Sequence, residues 1–283
     1  GNTVTSSAAT ITASLSGATL SGTNSINASS GVSTFTNLRL TGSSGSYTLV
    51  FTSSGLTQGS QSISLSAGVA TQISISGSAS ASNAQALASQ PIVTIKDASG
   101  NVVDTSTATV TLTATGATLS GTTAMAAVAG VADFAGKGVT LTGLIGAKTI
   151  TATITSPSTI TANLSVTLTF GTATKLAVSS ATVSATNRVA FANQPTITVQ
   201  DVSGNTVTSA VTSIGASVTS ANAANVTLGG SAVAAASAGI QSYGDLSLTG
   251  TAGTYTITYS ANGLTSITQT VTPTTTSPAR PPR

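Results

Sequence analysis

The chain has no cysteine, no histidine and no tryptophan, and its five acidic residues are all aspartate. The missing cysteine excludes any disulfide staple. Without cysteine and histidine, the common zinc ligand sets, thiol nucleophiles and imidazole general bases are excluded too. Charged residues make up 5% of the chain and aromatics 3%, against a usual charged share of about 25%. The formal net charge of +3 rests on only eight Lys and Arg. They are scattered from Arg39 to Arg283 with no basic stripe, so no nucleic-acid partner is expected. No apolar run approaches the roughly 18 residues of a membrane span, and none is expected. The Ala-rich stretch 124–139 is broken by Asp133, Gly136, Lys137 and Gly138.

Ser and Thr fill about a third of the chain, and hydrophobic residues 40%. Low charge signals disorder only when hydrophobicity is also low. Here Val, Ile, Leu and Thr alternate, which is a β-sheet pattern. Ala108, Val110, Leu112 and Ala114 share one face, and Thr107, Thr109, Thr111 and Thr113 the other. Ala9, Ile11, Ala13 and Leu15 repeat the arrangement. Such strands are half-buried and antiparallel.

The chain also repeats itself. Gly1-Asn2-Thr3-Val4 recurs as Gly204-Asn205-Thr206-Val207, with Gly100-Asn101-Val102-Val103 between them. The offset from Gly1 to Gly100 is 99 residues, and from Gly100 to Gly204 it is 104. A period that long is one small domain rather than a solenoid turn. Further markers follow in each copy. Gly31-Val32 through Phe35 matches Gly130-Val131 through Phe134 and Gly239-Ile240 through Tyr243. Leu40-Thr41-Gly42 matches Leu141-Thr142-Gly143 and Leu248-Thr249-Gly250. Tyr47 and Tyr255 open equivalent strands, and Lys148 stands in their place in the middle copy.

About seven short strands per hundred residues predict an immunoglobulin-like sandwich. The fold class expected is all-β, with tandem immunoglobulin-like β-sandwich domains in a rod. The expected boundaries are residues 1–69, an incomplete domain lacking its first strands; 70–171; 172–272; and a Pro-rich extended tail, 273–283. The linkers at 65–70 and 170–174 are short, which restricts bending. Gly68 and Gly171 are the expected first points of proteolytic cleavage. Against the second copy, the first lacks the match to 71–99, including the equivalent of the Val93/Ile95 strand. It should therefore present a hydrophobic cleft and unpaired edges. That cleft would be filled by preceding polypeptide, or by a strand from a neighbouring subunit.

The Gly-Asn turn before a Thr-alternating strand, the Gly-Val-x-x-Phe segment and the Gly-x-Tyr-Thr-Ile strand together resemble the bacterial Ig-like domains of invasin and intimin type. The resemblance covers nearly the whole chain. It implies tandem arrays in a surface protein.

No catalytic, cofactor-binding or metal-binding residue is expected, and no cofactor. Asp97 and Asp201 recur at one position of the repeat, where an Asx-type turn is the simplest account. A calcium loop of EF type would need more carboxylates and a glutamate. Lys148 is read as a stem covering apolar surface with its ammonium in water; a crosslinking role is the sharper alternative. Asn27, Asn163 and Asn225 fit the N-glycosylation pattern but at unequal positions of the repeat, as chance matches in a Ser- and Thr-rich chain do; the exposed Thr and Ser rows could carry O-linked sugar. The expected role is an extracellular, cell-surface structural protein of a fibre, sheath or stalk, not an enzyme. The alternative is a stalk segment of an adhesin or carbohydrate-binding surface protein. Self-association into a filament or array is expected, with contacts at the open edge of the first domain. The nearly uncharged strands lack the usual edge guards.

Overall fold

A computed structural model describes residues 1–180 and 183–274. Those residues are strands and loops, with one 3-10 turn at Ala223–Asn225. The second copy shows why this is an immunoglobulin-like sandwich. One sheet runs Val131–Asp133, Ile92–Lys96, Gln72–Ser76. The other runs Ala124–Ala126, Thr109–Thr115, Gly146–Ile154, Ile160–Thr169 and Ser80–Ser82. The last pair is parallel, and the other pairs of the two sheets are antiparallel. The first two strands of the copy thus serve opposite sheets, which ties the sandwich shut at one side. The third copy repeats the order, with Lys175–Val178, Thr196–Gln200 and Ile240–Ser242 facing Val233–Ala235, Ser213–Val218, Tyr255–Ser260 and Ile267–Val271.

The alternation in sequence becomes the inside and outside of these sheets. Val110 and Leu112 are buried while Thr109, Thr111 and Thr113 are exposed. They meet Val93 and Ile95 from the opposite sheet in one cluster with Phe134, Ile150 and Val166. Tyr255, Ile257 and Tyr259 do the same in a second cluster with Ile197 and Val199. Tyr243 packs on Tyr259 at 5.8 Å between ring centroids, and its hydroxyl donates to the Ile214 carbonyl. Burial pushes the Tyr243 phenol up to about 12. Pro91 and Pro195 each stand just before a strand, where no ladder N–H is needed.

The ladder of the third copy runs past the expected boundary. Pro273–Thr274 pairs in parallel with Ala185–Thr186, the counterpart of Ser80–Ser82 on Ile160–Thr169. Pro273 is buried. The rest of the expected tail, 275–283, lies outside the described residues.

Among the described residues the first copy shows no counterpart of the three-stranded sheet that carries Val93 and Ile95 in the second. Ser25–Asn27, Thr10–Ser14, Gly45–Thr52 and Gly59–Leu65 pair side by side, and Thr19–Ser21 pairs with Arg39–Thr41. No strand forms at residues 32–34, although their counterparts Val131–Asp133 and Ile240–Ser242 are strands. Those two owe their regularity to the neighbours Ile92–Lys96 and Thr196–Gln200. The Ser33 hydroxyl is buried and has no hydrogen-bond partner. The apolar face is open: Val4 is 65% exposed against 7% for Val103, and Ile63 41% against 1% for Val166. Phe35 and Phe51 pack on each other at 5.6 Å and remain half-buried.

Two outcomes test this architecture. Leu112→Ala should cost about 2–5 kcal/mol in denaturant unfolding, and Thr111→Ala less than about 0.5; equal costs would place the register one residue off. In hydrogen exchange, amides 33–35 should exchange at least about tenfold faster than amides 132–134, because the former lack a neighbouring strand. Equal protection would mean the open face is covered.

Candidate functional site: the carboxylate turns at the copy junctions

The residues most tightly tied by polar contacts are those at the junctions between copies. The backbone of 97–101 closes on itself: the Asp97 N–H donates to the Asn101 carbonyl and the Gly100 N–H to the Asp97 carbonyl. Gly100 has φ +86 and Gly204 φ +88, a left-handed conformation that favours glycine. Inside the loop, Asp97 Oδ1 accepts from the N–H groups of Ser99 and Asn101, both at 2.9 Å. This is the Asx-type turn read from the sequence, repeated at Asp201 with Ser203 and Asn205.

The turn does more than close itself. Asp97 Oδ2 accepts from the Gly68 N–H at 2.9 Å, in the link to the preceding copy. It also accepts from the Asn101 side-chain amide. That amide donates as well to the Gly42 carbonyl at 2.9 Å, and Asn101 Oδ1 accepts from the Ser44 N–H at 2.8 Å. Asn101 is thus a plug in the Leu-Thr-Gly loop of the copy before it. The second junction has the same contacts. Asp201 Oδ2 accepts from the Gly171 N–H. Asn205 donates to the Gly143 carbonyl and accepts from the Ile145 N–H, both at 2.9 Å.

A third element joins at the second junction. Asn83 is 1% exposed. Its amide donates to Asp201 Oδ2 at 2.8 Å and to the Ser203 hydroxyl, while its oxygen accepts from the Gly143 N–H. The backbone packs so closely that a Cβ on Gly171 would lie 2.2 Å from the Asn83 carbonyl oxygen. Gly171 is buried and its neighbour Thr172 exposed, while Gly68 is itself exposed.

These bonds set the acidity of the turns. The Gly68 N–H first, and then the Asn101 amide, hold the Asp97 carboxyl down to about 2. At Asp201 burial pushes the carboxyl up. The Gly171 N–H and the Asn205 and Asn83 amides outweigh it, and the net shift is downward.

The loops that receive the plugs are anchored from within. The Tyr47 hydroxyl donates to the Ser43 carbonyl, and that of Tyr255 to the Thr251 carbonyl. Tyr255 is fully buried and Tyr47 half-buried. In the middle copy the half-buried Lys148 lays its stem against Gly116, where Tyr47 covers Gly17.

Among the described residues no three His, Cys, Asp or Glu come together as a metal site, and no helix is long and apolar enough to cross a membrane. Asn27, Asn163 and Asn225 are all exposed. The sequence reading found the Asx turn but missed the plug, and missed Asn83 altogether. One signal was available: Gly-Asn and the Thr-Gly of Leu-Thr-Gly recur in every copy, although only the Leu of these motifs is core.

No family model matches the sequence, and no curated protein matches it. Solved structures do. One is the Escherichia coli adhesin FdeC, 16% identical with a TM-score of 0.35, over 94% of this chain and 85% of that one. Bacterial adhesin domains are among its structural neighbours. Another is a domain segment of intimin, 16% identical with a TM-score of 0.26, over 72% of this chain and 98% of that one. A β-glucuronidase from Parabacteroides merdae is also similar, 11% identical with a TM-score of 0.28. There the match covers 72% of this chain and 24% of the enzyme. At these identities and scores the likeness assigns no function.

The depressed carboxyls fix a pH dependence. A carboxyl with a folded pKa below its unfolded value stabilises the fold above that unfolded value. The stabilisation fades as pH falls towards the folded value. For Asp97 the window runs from 3.8 down to about 2. The melting temperature should be flat between about pH 5 and 8, where no ordinary side chain of this His-free chain titrates. It should fall below about pH 4, and Asp201→Asn should make that acid fall shallower. A sharp change between pH 5 and 8 would overturn the account.

Proposed function

We propose that this chain is an extracellular structural segment: a run of immunoglobulin-like domains, at 1–69, 70–171 and 172–272 with its ladder reaching 274, held at fixed angles as a surface rod. The observation that carries the reading is the junction plug, the same two hydrogen bonds from Asn101 and Asn205 at distances of 2.8–2.9 Å. Flexible arrays have no need of it. A plug repeated at both junctions limits rotation between neighbours, which suits a fibre, sheath or stalk. The composition supports the same role. Exposed Thr faces are strand-forming and uncharged, and only eight Lys and Arg offer cleavage sites to trypsin-like proteases. Nothing in the arrangement supports catalysis. The Asp residues that recur are consumed by backbone and amide hydrogen bonds.

Small-angle scattering on the monomer tests rigidity. The wild type should give one extended maximum dimension that is unchanged with temperature below melting. Asn101→Ala together with Asn205→Ala should broaden the distance distribution. Each change should also cost about 1–3 kcal/mol, because N–H and carbonyl groups at the junction lose their partners. A wild type as flexible as the double variant would remove the rod.

A further inference from the structure

Asn262-Gly263 is the one Asn-Gly pair in the chain; every other Asn precedes a residue with a side chain. The pair forms the turn between Tyr255–Ser260 and Ile267–Val271, which run antiparallel. Gly263 has φ +74, and the Leu264 N–H donates to the Ala261 carbonyl at 3.3 Å. The first copy builds the same turn from Ser54 and Gly55. There Gly55 has φ +74, and the Leu56 N–H donates to the Ser53 carbonyl at 3.3 Å. The turn therefore calls for glycine at its third position and accepts Ser before it as readily as Asn. Nothing in the turn requires the asparagine.

Asn262 and Gly263 are both exposed, and a Cβ on Gly263 would meet nothing within 4 Å. Neither the Asn262 side chain nor the Gly263 N–H has a hydrogen-bond partner among the described residues. The amides of Asn83, Asn101 and Asn205 are instead held by the junctions. We propose that Asn262 is a site of spontaneous modification, losing its side-chain amide through a cyclic imide to leave aspartate or isoaspartate. The Gly263 nitrogen gives its proton to hydroxide and attacks Asn262 Cγ. The bond from Cγ to the side-chain nitrogen breaks, and ammonia leaves. The product is a five-membered succinimide. Water then adds across one of its two carbonyl–nitrogen bonds. Opening on the side-chain carbonyl gives aspartate; opening on the main-chain carbonyl gives isoaspartate, whose backbone runs through Cβ. Glycine favours the attack because no side chain shields its nitrogen.

The position of the turn gives the change a consequence. Thr265 is tied to the link between the second and third copies: its N–H donates to the Thr174 carbonyl, and its carbonyl accepts from the Leu176 N–H, both at 2.9 Å. Ala261 and Leu264 pack on the core of the third copy, as does Ala173 of the link. Isoaspartate lengthens the backbone of the turn by one carbon just before Leu264 and Thr265. It therefore strains the two bonds to the link. Either product also adds a carboxylate and takes one unit from the formal net charge of +3.

Ageing of the full chain in mildly alkaline buffer, followed by peptide mass mapping, is the test. The peptide carrying Asn262 should gain the mass of an amide turned acid about tenfold faster than any other Asn peptide, because it joins an exposed turn to glycine. An isoaspartyl methyltransferase should label that peptide. Asn262→Gln, which would have to close a six-membered ring, should stay unmodified. Asn262→Ser copies the turn of the first copy and has no amide to lose; melting curves establish that both variants fold. In hydrogen exchange, the Leu176 and Thr265 amides of the aged wild type should exchange faster than those of fresh protein, and aged Asn262→Ser should show no change. Faster modification at another Asn would overturn the proposal. So would an Asn262 that stays intact in the folded protein while the urea-unfolded chain loses the amide. Unchanged exchange at Leu176 and Thr265 in the isoaspartyl form would overturn the effect on the link.

Discussion

The arrangement depends on one constraint: a carboxylate taken out of water must have its lone pairs filled. Asp201 is 1% exposed in a chain with few cations to pair it. Hydrogen bonds therefore neutralise it, from backbone N–H groups of its own turn, from the link at Gly171, and from the amides of Asn205 and Asn83. Charge-assisted hydrogen bonds of this kind are stronger than neutral ones. The donors come from two copies, so satisfying the carboxylate also ties one copy to the next. Asp97 does this with fewer donors among the described residues.

The sandwiches are built on a different principle. Their cores are Val, Ile, Leu and a few aromatics facing across two sheets, and rows of Thr rather than charged side chains face outward. The first copy shows what the second sheet contributes. Without it, Val4 and Ile63 face water and residues 32–34 form no strand. Sheet pairing and core burial are thus one cooperative event here: a strand is regular only where its neighbour stands.

Polar junctions and apolar cores divide the work. Stability within a copy comes from area removed from water, and geometry between copies comes from directional hydrogen bonds. The surface rod proposed for this chain would draw on both. Repeating a single junction chemistry is also economical in information: the same five-residue turn and six-residue loop serve every boundary in the chain.

The sequence by itself determined the β class, the length of the repeat, the register of the strands and the turn at Asp97 and Asp201. These are local matters. Period-two alternation decides which of Thr111 and Leu112 faces inward, and Asp, Gly and Asn decide where the chain can reverse. It also marked where the first copy falls short of the others. Only the tertiary structure decided what the turns hold. Asn83 lies 118 positions from Asp201 in sequence, and Asn205 reaches a carbonyl 62 positions away. No periodicity encodes a partner at that distance. It appears once the sheets have stacked, the linkers have closed, and a buried carboxylate has taken the donors within its reach.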